Sequence, residues 1–351
     1  MRRFLFLCGV LLAVCAIGCP RSASEPRVVL YCAQDEEFAV PLLNEFSQHA
    51  AIAVAPKYDT EADKSVSLYQ ELIAEKNRPR CDVFWNNEIL STIRLQKQGL
   101  LESYDSPAAR VYPAEGKAAD HTWHAFATRA RILIVNTRLV AEKDRPRSLL
   151  ELTDAGWRGR VAMARPQFGT SATQAACLFQ VLGSERAKKF YLDLKANDVR
   201  VAPGNKQVAE WVGKGRTPRG EEVAVGITDT DDAMAEVRDK HDVAIVYPDR
   251  DARDDSKLGT LFIPNTLAIL KGSPNPDEAR RLVDFLLGPD VEKRLAEGES
   301  NQVPLNPEVK AELPSQIQTP KTVRVMPVDF GKAADLWEEV QTFVRQEFAG
   351  P

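Results

Sequence analysis

Cysteine, histidine and long apolar runs are all scarce in this 351-residue chain, and each scarcity removes a class of function. Cys8 and Cys15 lie within the first eighteen residues, while Cys32, Cys81 and Cys177 form an odd set with no close pair. That pattern is neither a disulfide framework nor a CxxC zinc site, so these three read as small buried hydrophobes. The histidines, His49, His121, His124 and His241, lie far apart, and His121 and His124 read as exposed loop residues. No HExxH helix, GxSxG elbow, Walker loop or GxGxxG fingerprint occurs. An enzyme would have to rest on carboxylates alone, such as Asp35 with Asp231 as acid and base. Beyond the N-terminus no window holds eighteen consecutive apolar residues, which argues against a polytopic membrane protein. A formal charge of -4 and a pI near 5.8 give no reason to expect nucleic acid as partner. The apolar fraction of 44% and charged fraction of 27% are those of a globular chain rather than a disordered one.

What is present begins with Arg2 and Arg3, an apolar run from Phe4 to Ile17, then Gly18 and Cys19. Positive charge, a short apolar stretch and a small residue make residues 1–18 a secretory signal, so the chain is expected to be exported. Ala16-Ile17-Gly18-Cys19 is similar to the bacterial lipobox, which implies a lipid on Cys19; the competing reading is an ordinary signal with an incidental cysteine. Residues 19–26 then form a short tether. Roughly 330 residues remain, more than one core usually organises, so two lobes are expected.

Apolar periodicity reads as strand at 27–31, helix at 38–46, strand at 52–56, helix at 66–76 and strand at 81–85. A βαβαβ series implies a parallel, doubly wound sheet that binds ligands beyond the carboxyl ends of its strands. Strands at 123–128 and 131–136 follow, and the chain crosses to a second βα series over 135–255. It returns near 260 and continues as mostly helix from 290 to 351. One lobe is thus expected from 27–130 with about 260–351, the other from 135–255. The alternating charges from Asp249 to Asp255 read as solvated surface.

Four segments carry a likeness: Val28-Val29-Leu30-Tyr31-Cys32-Ala33-Gln34, Cys81-Asp82-Val83-Phe84-Trp85, Trp157-Arg158-Gly159-Arg160-Val161-Ala162, and the stretch from Ala279 to Pro289. In order and spacing the chain resembles the substrate-binding proteins of ABC importers, within them the ferric-iron-binding group of the periplasmic-binding-protein type II superfamily. The resemblance implies an α/β bilobal clamshell of two doubly wound lobes joined by crossover strands and closing by a hinge on a small solute. It implies an inner-membrane ABC permease as partner, a monomer, membrane attachment through the N-terminal lipid, and no cofactor beyond a metal ion as cargo.

Ferric-binding relatives place a histidine after the first strand, a glutamate after the third, and adjacent tyrosines after a strand of the second lobe. This chain departs from all three. Asp35 falls near the histidine, Asn87 and Glu88 near the glutamate, and Asp231-Asp232 replace the tyrosines within Thr228-Asp229-Thr230-Asp231-Asp232. Two readings of the acidic cluster stand. Asp35, Glu88, Asp231 and Asp232 offer hard oxygen ligands to a cation, or Asp229 and Thr230 cap a helix whose first turn favours acids. The same carboxylates suit an organic ammonium. Gly169, Thr170 and Ser171 open a helix, where N–H groups and hydroxyls can hold an anion. Tyr31, Gln34 and Asn86 complete the expected rim. A metal ion, with or without an anion, is the leading solute; an aminophosphonate, polyamine or thiamine-like compound is the alternative. A carboxylate enzyme or an uncoupled sensor lipoprotein is the further alternative. On this reading, exchanging Asp231 and Asp232 for Asn leaves the ligand-free protein about as stable.

Overall fold

The computed structural model describes residues 25–59, 66–254 and 257–348. The leader and Cys19 lie outside the described residues. The chain opens as β1 (Arg27–Cys32), α1 (Glu36–Ala50), β2 (Ala53–Tyr58), α2 (Val66–Ala74), β3 (Val83–Asn86), α3 (Leu90–Lys97) and a short β4 (Leu101–Glu102). Alternation in β1 splits its side chains between two cores. Val28, Leu30 and Cys32 pack with Leu42, Phe46 and Leu282, whereas Tyr31 packs with Leu68, Leu72 and Ile93. Helices therefore cover both faces of the sheet.

β5 (His124–Asn136) follows, then β6 (Val161–Ala164), α4 (Gly169–Leu182), α5 (Ser184–Ala196), β7 (Arg200–Ala202), α6 (Asn205–Lys214), β8 (Val225–Asp229), α7 (Thr230–Arg238) and β9 (Val243–Val246). The chain ends with β10 (Phe262–Leu270), α8 (Pro276–Leu286), α9 (Pro289–Glu297), α10 (Phe330–Asp335) and α11 (Trp337–Phe348). Strand order is β2-β1-β3-β10-β5-β8-β6-β7, with β4 added on β10 and β9 on β5. The pairs β1/β2, β1/β3, β6/β7 and β6/β8 are parallel, while every pair involving β5 or β10 is antiparallel. Two doubly wound halves thus meet along two long antiparallel strands, the bilobal architecture expected.

The two strands expected at 123–128 and 131–136 are one. β5 runs 13 residues, all buried; its first part pairs with β10 and its second with β8 and β9. Arg129 in its middle looks like a break in sequence, yet it is 2% exposed. A register shift at Pro264/Asn265 and a left-handed Ala127 at φ 39° bend the ladder just before it. The bend is tied from α9: the buried Glu292 carboxylate accepts N–H bonds from Ala127 at 2.6 Å, Leu305 at 2.9 Å and Asn306 at 2.8 Å.

Residues 298–329, expected to be mostly helical, contain no helix. Five prolines, Pro304, Pro307, Pro314, Pro320 and Pro327, interrupt any helical run there. His124 is not an exposed loop residue; it begins β5, is 3% exposed and contacts the Tyr104 carbonyl at 2.9 Å. Within the charged stretch, Asp249 is buried and accepts bonds from Ser148 Oγ and the Gly259 N–H, both at 3.3 Å. Cys32, Cys81 and Cys177 are unbridged and buried.

One glycine sets how closely α6 approaches the sheet. A Cβ at Gly226 of β8 would stand 2.5 Å from Val208 Cγ1 and 2.9 Å from Val212 Cγ2. Gly226→Ala should therefore cost about 1–3 kcal/mol through overpacking. Urea unfolding that shows no loss would refute this tight packing.

Candidate functional site

Four helices start at the same place. α1, α4, α6 and α7 begin beyond the carboxyl ends of β1, β6, β7 and β8, where open α/β sheets bind ligands. Residues at or beside these starts, with Asn87, Arg129 and Arg165, line one cleft of about 430 Å³ including the space open to solvent. Such starts leave N–H groups and partial positive charge pointing inward. Gly169, Thr170 and Ser171 come from α4, Gly204 and Asn205 from the cap and first residue of α6, Asp229 from the end of β8, Asp231 and Asp232 from α7, and Asp35 from the turn before α1.

The carboxylates are compensated by two arginines of β5. Arg131 and Arg129 are i and i+2, so both project from the same face of the strand. Arg131 Nη1 donates to Asp229 Oδ1 at 2.9 Å, Nε donates to Gln174 Oε1 at 3.0 Å, and the guanidinium also donates to Thr170, Ser171 and Asn205. The second oxygen of Asp229 accepts from Thr170 Oγ1 at 2.5 Å and Asn205 Nδ2 at 3.1 Å. Asp229 thus occupies the N-cap position of α7 without a side-chain capping bond, because both oxygens are committed elsewhere. Arg129 Nη2 donates to Gln34 Oε1 at 2.8 Å and to Asn265 Oδ1 at 3.1 Å, and its Nε lies 3.4 Å from Asp231 Oδ2. Burial opposes the Arg129 charge, but Asp231, Asp229, Asp35 and Asp232 outweigh it and hold the pKa above the ordinary arginine value. Asp232 accepts from Thr228 Oγ1 at 3.2 Å.

Of the residues expected at the site, Asp35, Asn87, Gly169, Thr170, Ser171, Asp229, Asp231 and Asp232 line the cleft together. The others do not. Tyr31 points to the opposite face of the sheet, where its hydroxyl donates to Glu75 at 3.1 Å. Gln34 is buried and accepts from Arg129, and Thr228 and Thr230 are buried outside the cleft lining, Thr230 Oγ1 accepting from the Ala130 N–H at 3.3 Å. Glu88 as a metal ligand requires correction. Its oxygens accept from the N–H groups of Leu90 at 2.6 Å and Ser91 at 2.9 Å, from Asn86 Nδ2 at 3.0 Å and from Thr173 Oγ1 at 2.8 Å. Glu88 instead holds the start of α3 and joins it to α4, with Asn86 bracing its carboxylate. The sequence reading missed Arg129, Arg165, Gly204 and Asn205. The available signal was two arginines two apart in a mostly apolar strand, since buried arginines demand carboxylate partners.

The family of bacterial extracellular solute-binding proteins matches residues 91–330. The chain belongs to this family. Among its relatives is the major ferric iron-binding protein of Neisseria meningitidis, 27% identical over 286 residues, covering 80% of this chain and 82% of that protein. A putative 2-aminoethylphosphonate-binding periplasmic protein of Salmonella typhi is 25% identical over 234 residues, covering 66% of this chain and 64% of that one. In fold the solute-binding protein is similar to AfuA of Actinobacillus pleuropneumoniae, solved with fructose-6-phosphate bound: TM-score 0.79, 22% identity, 93% of this chain and 100% of that one covered. Iron-bound HitA of Pseudomonas aeruginosa also gives a TM-score of 0.79, at 21% identity, covering 92% and 99%. Relatives and neighbours are solute receptors, and the family works outside the cytoplasm. Among the described residues no helix is long and apolar enough to cross a membrane.

The buried pairing has a measurable cost when broken. Arg131→Met leaves Asp229 uncompensated and should lower stability by about 3–5 kcal/mol in urea unfolding, with Asp229→Asn added to it restoring part of the loss. Equal stability of the single variant and the parent would show that the pair is not buried in solution.

Proposed function

We propose that this solute-binding protein captures a small zwitterion carrying a phosphonate- or phosphate-type anion and an ammonium, of which 2-aminoethylphosphonate is the type. The observation that carries this reading is the joint lining of one cleft by helix starts and carboxylates. The N–H groups at the starts of α4 and α6, with Arg165, suit an oxyanion, while Asp35, Asp231 and Asp232 suit the ammonium. The Salmonella relative's name and the sugar phosphate in the AfuA structure support the same solute class. The arginines support it too, since Arg129 and Arg131 already offset the charge that a bare cation would need. A second reading, a metal ion with a companion anion, is favoured by the clustering of Asp229, Asp231 and Asp232, which offer ligand atoms within 4.8 Å of one another.

Two lobes, 27–130 with about 260–351 and 135–255, close on the solute about β5 and β10. The loaded monomer then meets an ABC permease, and a lipid on Cys19 keeps it at the membrane. Capture without turnover is its whole chemistry. If the lipid is present, Cys19→Ser should move the protein from the membrane to the soluble fraction of its own cells; an unchanged distribution removes the anchor.

The cleft is tested by thermal shift. Asp231 is unsuited to the exchange first expected, because Asp231→Asn would leave the buried Arg129 without its ion-pair partner. Asp35→Asn and Asp232→Asn are the better variants. With 2-aminoethylphosphonate in hundredfold excess over its dissociation constant, the wild-type melting temperature should rise, equivalent to about 2.7 kcal/mol. Each variant should lose most of that rise. A shift given instead by ferric or manganous ions, and none by the aminophosphonate, would favour the metal reading.

A further inference from the structure

At the end of α7 away from the cleft, the chain folds back on its own helix. Lys240 adopts a left-handed conformation with φ 59°, and the His241 N–H donates to the Glu236 carbonyl at 3.0 Å. This turn sets the His241 ring against the Glu236 side chain, with Nδ1 2.6 Å from Oε2. Glu236 is 4% exposed, while the His241 side chain is 34% exposed, so the pair is anchored inside and reachable from solvent. The two atoms are in contact with each other, and neither has a hydrogen-bond partner elsewhere in the protein. A buried carboxylate oxygen and a ring nitrogen thus converge on one point.

Two further observations give that convergence a shape. Asp239, exposed on the same turn, brings a carboxylate oxygen, and one ligand atom each from Glu236, Asp239 and His241 lie within 4.8 Å of one another. The facing helix leaves space for them: a Cβ at Gly213 of α6 would collide with Glu236 Oε2 and stand 3.1 Å from His241 Nδ1. Glu210 of α6 adds negative charge nearby.

We propose that Glu236, Asp239 and His241 form a binding site for a borderline divalent cation, Zn²⁺ being the type, separate from the solute cleft. One imidazole and two carboxylates match the donor preference of Zn²⁺ and Co²⁺, whereas Ca²⁺ and Mg²⁺ prefer all-oxygen shells. The bound cation would fasten the last turn of α7 to the segment that leads into β9. The first turn of the same helix carries Asp231 and Asp232. Metal at one end therefore holds the helix that presents the cleft carboxylates at the other.

The test uses tag-free protein freed of metal by chelator and dialysis. Wild type should bind one equivalent of Co²⁺ with a visible absorption band characteristic of low coordination number, and Zn²⁺ should displace it and raise the melting temperature. His241→Gln and Asp239→Asn should each weaken binding by about tenfold or more. Because Asp239 is exposed, its exchange leaves packing intact and guards against a false loss from misfolding. Asp232→Asn, in the cleft, should bind Co²⁺ like wild type, which keeps this result independent of the zwitterion reading. Absence of binding by wild type, or undiminished binding by either of the first two variants, overturns the assignment.

Discussion

Two guanidinium groups buried in the middle of one strand set the terms for the rest of this protein. A charge taken out of water is tolerated only with a partner and filled hydrogen bonds. Arg131 finds these in Asp229, Gln174 and Thr170, and Arg129 in Asp231, Gln34 and Asn265. Those partners come from the loop after β1, from β10, from α4 and from the start of α7. The pairing therefore fixes the relative position of elements from both halves of the sheet, and it fixes them where the helices begin. Without it the acidic start of α7 would repel itself; with it, the cleft carries balanced charge.

That balance distinguishes the site from a simple carboxylate cage. A cage for a hard cation supplies several oxygens whose charge is otherwise uncompensated. Here Asp229 spends both oxygens on Arg131, Thr170 and Asn205, and Asp231 shares its charge with Arg129. The cleft carries a field with two signs: N–H groups of helix starts and the remaining carboxylate character.

Much of this was legible in the chain. The alternation of β1 and the helical spacing after it gave the first βαβ series, and the order of segments gave the bilobal plan. The acidic residues Asp229, Asp231 and Asp232 and the Gly169-Thr170-Ser171 start line one cleft. What stayed hidden were long-range pairings. Arg129 looks like a break until Asp231, a hundred residues away in sequence, is brought beside it. Glu88 looks like a ligand until Thr173 and the N–H groups of Leu90 and Ser91 consume its oxygens. Residues 298–329 lack the expected helix for a local reason, since five prolines interrupt any helical run there.

The shared sheet also bears on when the protein folds. β3 ends at Asn86, and its antiparallel neighbour β10 does not begin until Phe262. The first half of the sheet therefore lacks an inner strand for as long as the intervening chain is being made. Contacts of such sequence separation form late and slowly. The N-terminal half therefore cannot close its own sheet until the chain has been made as far as β10.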